Sequence, residues 1–241
     1  MNDSEFTPPP ELLIAVSTRQ DGTMLDRELA NRHHETVVAN RRAFCGNNGI
    51  AYDKCVYQTI SYDDEQTYDR IQEVDIPSSE GVYADVLYTR TPDLGLFLPI
   101  ADCVGTVIYD PIRKALALAH IGRHASIAKT LQKTIRYFVR DGSKTDNIFV
   151  WMAPSVGVED YTMKYFHYTA DQDWQPFVDI MPDGIHLDLQ GFNKNLALQE
   201  GVPERNIFIS KTNTARDKKY FSHSQGDTNG RFAVLAMMKK S

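Results

Sequence analysis

The sequence predicts an α/β (α+β) protein, a single domain with mixed β-sheets flanked by helices. Segments typical of strands and of helices alternate along its 241 residues without a regular strand–helix–strand rhythm, and several strands follow one another through short turns. Apolar residues make up 42% of the chain and charged residues 24%, which is typical of a soluble globular protein with a core of ordinary size. We expect a disordered N-terminal lead-in over residues 1–10, which are polar and then proline-rich, and one domain over 11–241.

Strands are predicted where β-branched, aliphatic and aromatic residues form short runs bounded by turn residues. In chain order these runs cover residues 11–19, 55–62, 83–90, 95–102, 105–110, 114–120, 147–157, 184–189, 206–211 and 231–238. The run at 147–157 passes into a loop at its end. The acidic and polar segment 63–82 is predicted to be a loop.

Three segments carry the pattern of a helix. Residues 27–49 offer an apolar face and end in "GNNG", which is a stop signal. Residues 123–141 form the clearest helix, because apolar residues recur at helical spacing between Ile127 and Val139. Residues 190–201 form a third helix that ends at a glycine.

Charge and cysteine content restrict the partners and the compartment. The formal net charge of -6 argues against a nucleic-acid or anionic-membrane partner, since both favour a basic face. No apolar run approaches the length of a membrane span, and the N-terminus lacks the features of a signal peptide. Cys45, Cys55 and Cys103 cannot all pair and show no CxxC spacing, so we expect a reducing, cytoplasmic compartment.

The segment 98–124 places one cysteine and one histidine at the two ends of an apolar hairpin. If its turn consists of Pro111 and Ile112 alone, Cys103 lies directly opposite His120, with Cβ atoms roughly 5 Å apart. A turn longer by one residue would put the two side chains on opposite faces of the sheet. The predicted adjacency therefore depends on the register of the hairpin.

A thiol and an imidazole so placed suit two kinds of chemistry. Cys103 and His120 can be two ligands of a zinc ion that has a third ligand elsewhere and an open position. Alternatively, His120 can take the proton of Cys103 and make it a nucleophile. Asp102, beside the cysteine, can orient a histidine or polarise a water. The structural alternative is a buried core cysteine and a histidine that ends a strand.

Five motifs occur in an order that resembles a known family. They are "STRQDGTM" at 17–24, "NR" at 40–41, "ADC" at 101–103, "AHIG" at 119–122 and the tail "YFSHSQGDTNGRFAVLAM" at 220–237. Together they resemble the bacterial polyphenol oxidase, or laccase-domain, family, over nearly the whole chain. The resemblance implies a single domain of mixed sheets flanked by helices. It also implies phosphorolysis or deamination of adenosine and related purine nucleosides.

The resemblance also implies a zinc ion. In this family the zinc is held by a histidine from "Q-x-H-G", the cysteine of "ADC" and the histidine of "AH-x-G", so Cys103 and His120 match the second and third ligands. Gln58 matches the first motif, but Ile60 stands where its histidine belongs, and isoleucine has no lone pair to offer. We therefore expect an incomplete zinc site of reduced affinity.

Other histidines and arginines are candidates for the remaining roles. His124, four residues after His120, and His223 in the tail are candidate replacement ligands, with solvated surface histidines as the alternative. Arg231 and Arg19 match the family's motifs and are candidate phosphate binders, because a guanidinium offers paired donors to an anion; the alternative is surface ion pairs. Copper is not expected, because the chain lacks the several His-x-His pairs that copper clusters use.

The resemblance therefore predicts a cytoplasmic enzyme that acts on adenosine, inosine or related nucleosides and on phosphate. Its site residues are Cys103, His120 and Asp102, with an arginine as anion binder. The alternative is a non-catalytic homologue that keeps the fold as a binding or assembly protein, which Ile60 and the altered "GRHA" at 122–125 favour. No oligomeric state is predicted.

Overall fold

The computed structural model describes residues 6–29, 31–63 and 66–240, and it contains fifteen strands and four α-helices within them. The strands are β1 (Leu12–Val16), β2 (Leu25–Asp26), β3 (Cys55–Thr59), β4 (Ile71–Glu73), β5 (Ser78–Tyr83), β6 (Val86–Thr89), β7 (Gly95–Ile100), β8 (Val104–Asp110), β9 (Ala115–Ile121), β10 (Phe149–Met152), β11 (Thr162–Met163), β12 (Val178–Met181), β13 (Gly184–Leu187), β14 (Ile207–Ile209) and β15 (Gly230–Met238). The helices are α1 (Glu35–Asn47), α2 (Arg123–Ile127), α3 (Thr130–Arg140) and α4 (Leu189–Gln199).

Three sheets contain these strands. The first has the order β1-β15-β7-β3-β5, with β2 also paired to β15, and the second has the order β14-β10-β8-β9-β6-β4. The third is the small sheet β11-β13-β12. Both large sheets are mixed: β15 runs antiparallel to β1 and β7, whereas β3 runs parallel to β5 and β7.

The two large sheets pack face to face between outer layers of helix. Leu98 of β7 and Leu118 of β9 enter the core between the sheets. Phe97 points to the other face of the first sheet, where it packs edge-on against Phe44 of α1, and Ala117 faces the core formed with α3 and α4. Because successive side chains alternate between faces, the central strands are buried on both sides and appear as continuous apolar runs. The predicted fold class is confirmed.

The helix predicted over 27–49 is wrong in its first part, because α1 begins only at Glu35. Its buried Arg41 holds the preceding chain in a loop against the helix. The Nε atom donates to the carbonyl of Met24 at 2.8 Å, and Nη2 donates to the carbonyl of Arg32 at 2.7 Å. Because the carbonyls of Met24 and Arg32 accept hydrogen bonds from this side chain of α1, the residues that carry them lie in a loop and not in a longer helix.

Two further predictions need correction. The loop predicted over 63–82 contains the strands β4 and β5, whose residues are partly exposed and so lack a long apolar run. The single helix predicted over 123–141 is two helices, because Lys129 adopts a left-handed backbone (φ 56) between α2 and α3. Of the small third sheet, only β13 was predicted.

The hairpin register also differs from the assumed one. The turn covers residues 111–114 instead of two residues, so Asp110 pairs with Ala115 and Gly105 pairs with His120. Asp110 stabilises the longer turn, because its Oδ1 accepts from the N–H of Ile112 at 2.8 Å and of Arg113 at 3.0 Å. The register moves by two positions, which leaves every side chain on its predicted face.

The ends of the predicted domain are only partly covered. Residues 1–5 of the lead-in lie outside the described residues, and residues 6–10 contain no helix or strand. The Phe6 ring packs against Phe208, with ring centroids 4.4 Å apart. Among the described helices, none combines the length and apolar character needed to cross a membrane.

Candidate functional site

A cavity of about 530 Å³ lies where the two large sheets meet the loops at their ends. Its walls come from parts of the segments 25–32, 57–68, 99–103 and 120–125, with further residues from the C-terminal part of the chain. Such a volume is typical of a site for a small organic ligand. Cys103, His120, Asp102, His124 and Arg231 all line it, as does Ile60.

The Cys103 and His120 side chains lie on either side of Gly122. In the register of β8 and β9, Val104 pairs with Ile121, so the next position sets Cys103 opposite Gly122 and diagonal to His120. A Cβ atom on Gly122 would lie 3.0 Å from Cys103 Sγ and 3.6 Å from His120 Nε2. The predicted adjacency is present, although its register was not the assumed one.

Burial makes both groups uncharged at neutral pH. Burial in the cavity wall, followed by the charge of Asp102, raises the pKa of Cys103 to about 12. Burial lowers the pKa of His120 to about 4. Among the described residues, the Nδ1 atom of His120 has no hydrogen-bond partner. A neutral thiol and a neutral imidazole therefore face the cavity.

Asp102 connects the hairpin to the C-terminal loop. Its backbone is left-handed (φ 69), its Oδ1 accepts from Thr214 Oγ1 at 2.7 Å and its Oδ2 accepts from the N–H of Ser224 at 2.7 Å. With both oxygens occupied, the carboxylate holds Ser224 and its neighbour His223 in the cavity wall. The bonds favour a positioning role for Asp102.

The two candidate phosphate binders lie in different places. Arg231 lines the cavity and is 8% exposed. Arg19 does not line it: its guanidinium forms an ion pair with Asp227, donates to the carbonyl of Tyr220 at 2.9 Å and lies 4.4 Å from the centroid of Phe221. Of the two candidates, the structure thus places only Arg231 in the same cavity as Cys103 and His120.

Several cavity residues were not predicted. Arg27, Arg32 and Arg123 line it together with three tyrosines of the segment 57–68 and with Tyr161. The position of Arg27 and Arg32 follows from the loop that Arg41 holds, and Arg41 belongs to the "NR" motif. The "NR" motif therefore indicated residues that shape this wall of the cavity. The hydrogen bonds of Arg41 to the carbonyls of residues 9 and 17 positions earlier cannot be predicted from the sequence.

Residues 18–239 match the family model described as multi-copper polyphenol oxidoreductase laccase. The chain belongs to this family. It is 26% identical over 162 residues to a purine nucleoside phosphorylase of Deinococcus radiodurans, a match that covers 65% of this chain and 62% of the relative. It is 24% identical over 155 residues to the adenosine deaminase RL5 of an unknown prokaryotic organism, covering 59% of this chain and 58% of the relative. The matches thus span about three fifths of these relatives.

The same fold occurs in solved structures. The crystal structure of YlmD from Geobacillus stearothermophilus has a TM-score of 0.79 at 22% identity and covers 97% of this chain and 94% of its own. The Bacillus licheniformis protein YfiH has a TM-score of 0.78 at 24% identity, covering 95% and 93%. At these identities the likeness establishes the fold of the laccase family member described here.

The description of the laccase family names a metal, so the metal-ligating side chains of the cavity bear on whether this chain binds one. Cys103 and His120 offer a sulfur and a nitrogen on either side of one point, while Ile60 in the same wall offers no donor. His124 Nε2 lies 3.1 Å from Nη2 of Arg123, and its ring packs on Tyr68. Within residues 6–29, 31–63 and 66–240, no three His, Cys, Asp or Glu side chains converge as a metal site.

Proposed function

We propose that this protein is an enzyme that acts on purine nucleosides, with phosphorolysis as its main reaction. The observation that carries the proposal is the cavity of about 530 Å³ that Cys103, His120 and Arg231 line together. Family membership and relatives named purine nucleoside phosphorylase support it. A deaminase reaction on adenosine is the second candidate, which the similarity to adenosine deaminase RL5 favours.

Phosphorolysis places clear demands on such a cavity. A phosphate oxygen forms a bond to C1′ of the ribose, the bond from C1′ to the purine nitrogen breaks, and the electron pair leaves with the base, which takes up a proton. Arg231 supplies charged donors for the phosphate. Tyr62, Tyr68 and Tyr161 line the same cavity and supply aromatic surface for a purine. The neutral imidazole of His120 is able to exchange a proton at Nε2.

Zinc is the metal that the family resemblance implies, and the donor set does not fit it. A catalytic zinc ion ordinarily has three protein ligands, whereas Cys103 and His120 are two. A ligating histidine also usually donates the N–H of its second ring nitrogen to an acceptor, and no residue that the structure describes accepts a hydrogen bond from His120 Nδ1. No step of the proposed reaction therefore passes through a metal.

The proposed partners are a small nucleoside and phosphate, in the cytoplasm. The three cysteines, which cannot all pair and show no CxxC spacing, support a reducing compartment. The net charge of -6 supports the proposal that neither nucleic acid nor an anionic membrane is the partner.

The test compares the nucleoside turnover of two cysteine variants with that of the wild type. Purified protein is assayed for release of hypoxanthine from inosine with and without phosphate, and for conversion of adenosine to inosine. We expect phosphate-dependent release of base that Cys103→Ala abolishes. Cys45→Ala, which removes a buried thiol outside the cavity, should lower stability and keep the turnover. Unchanged activity in Cys103→Ala contradicts the assigned site. Absence of any turnover by the wild-type chain favours the non-catalytic alternative.

A further inference from the structure

The wall of the cavity formed by β2 and β15 carries two arginines on one face. Leu25 pairs with Arg231 and Asp26 pairs with Gly230 in an antiparallel ladder. The N–H of Arg27 continues it by donating to the carbonyl of Asn229 at 3.2 Å. Since side chains alternate along a strand, Arg27 lies on the same face as Arg231, at the diagonal position. Both side chains line the cavity.

Neither guanidinium forms an ion pair within residues 6–29, 31–63 and 66–240. Arg231 donates through Nη1 to the carbonyls of Asp227, Thr228 and Gly230, at 3.5, 3.4 and 2.7 Å. Its Nε and Nη2 atoms have no hydrogen-bond partner among the described residues. The Arg27 guanidinium lies 5.9 Å from the ring centroid of Tyr62. In the described parts of the chain, no ion pair joins either arginine to a carboxylate.

Among the described residues, neither of the two carboxylates that line the cavity, those of Asp26 and Asp102, forms an ion pair with Arg27 or Arg231, and the charge of Asp102 acts on Arg231 more weakly than burial and Arg27 do. Both oxygens of Asp102 accept bonds from Thr214 and Ser224, and Oδ1 of Asp26 accepts from the N–H of Glu28 at 3.0 Å. Burial, followed by the nearby charge of Arg27, lowers the pKa of Arg231. A buried cation beside a second cation is unfavourable unless an anion joins them.

We propose that Arg27 and Arg231 together bind a phosphate group at the β2–β15 wall of the cavity. Two guanidinium groups on one face present several N–H donors to the oxygens of a phosphate, which is the geometry in which arginine binds anions best. The role of this phosphate as a reactant rests on the proposed function; its binding does not. The phosphate is either free inorganic phosphate or the phosphate ester of a nucleotide.

The test measures binding rather than turnover. Isothermal titration calorimetry of the full chain with inorganic phosphate, in phosphate-free chloride buffer, compares the wild type with Arg27→Met and Arg231→Met. We expect Arg27→Met to raise the Kd about tenfold or more, because it removes charge-assisted hydrogen bonds. Arg27 is exposed, so this variant retains the fold even if Arg231→Met does not. Arg136→Met, which removes an exposed arginine paired with Glu200, is the control for net charge and should change the Kd by less than about twofold.

Two further ligands separate the possible outcomes. Adenosine alone should bind the wild type and Arg27→Met equally. Adenosine 5′-monophosphate that binds more tightly than adenosine, by a margin lost in Arg27→Met, identifies a nucleotide as the source of the phosphate. Inorganic phosphate that binds together with adenosine identifies free phosphate. Unchanged phosphate affinity in Arg27→Met overturns the anion site, whereas phosphate binding without nucleoside turnover contradicts only the proposed function.

Discussion

Gly122 is the position at which one added methyl group tests the geometry of the site. It precedes α2, and its missing side chain leaves the gap between Cys103 and His120. In Gly122→Ala the new Cβ atom would lie 3.0 Å from Cys103 Sγ and 3.3 Å from His120 Cε1. Both contacts are tighter than ordinary van der Waals packing, so both side chains have to move by a few tenths of an ångström.

The expected cost follows from these contacts. Overpacking of a buried site costs about 1–3 kcal/mol, and the lower entropy of the unfolded alanine chain offsets about 0.4–1 kcal/mol of it. We expect Gly122→Ala to lower the free energy of unfolding by about 1–2 kcal/mol. Because the methyl group displaces both site residues, turnover of nucleoside should fall by about tenfold or more.

Gly46→Ala is the matched control. Gly46 lies inside α1, has no positive φ, and a Cβ atom there would have nothing within 4 Å. This variant should therefore gain about 0.5–1 kcal/mol of stability, because alanine is the better helix former, and keep its activity. Urea denaturation measures both stabilities. If Gly122→Ala were as stable and as active as Gly46→Ala, the placement of Cys103 and His120 around Gly122 would be wrong.

Two further predictions concern metal affinity and pH. Ile60→His adds a donor to the cavity that Cys103 and His120 also line, so its zinc affinity in a chelator competition should exceed that of the wild type by about 100-fold, one ligand's share of a zinc site. Ile112→His, on the exposed turn, should leave the zinc affinity unchanged. Equal affinities for wild type and Ile60→His would refute the idea that a ligand is missing at this position. Asp183 raises the pKa of His186 through a 3.0 Å hydrogen bond, so the pair stabilises the fold below the unfolded histidine pKa of about 6.5 and loses this effect as pH rises through the raised value. Urea denaturation should show a larger difference between wild type and Asp183→Asn at pH 6 than at pH 8, and a larger difference at pH 8 would reverse the assigned sign.

The missed strands and the late start of α1 have a common cause. The strands β4 and β5 lie at the edges of the two large sheets, and β12 of the small sheet is mostly exposed, so these residues carry no clear apolar period. The late start of α1 depends on bonds from Arg41 to residues far back in the chain. In each case a tertiary contact determines the local structure, and such a contact cannot be inferred from the pattern of neighbouring residues.

One part of the candidate site likewise follows from the sequence, and the other part depends on tertiary contacts. The two-residue period of a strand determines that Cys103 and His120 share a face, and this survived an incorrect turn length because the register moved by two positions. The pairing of β2 with β15 could not be read from the sequence, because it joins segments some 200 residues apart. That pairing places Arg27 beside Arg231, while the ion pair with Asp227 keeps Arg19 outside the cavity.

What the sequence determined by itself is therefore the fold class, the family and the Cys103–His120 pair, since each depends on periodicity or motif order along the chain. Only the tertiary structure decided which charged side chains surround that pair. Apolar periodicity is a property of neighbouring residues. The position of a guanidinium depends instead on which distant strand its backbone pairs with and on which carboxylate forms an ion pair with it.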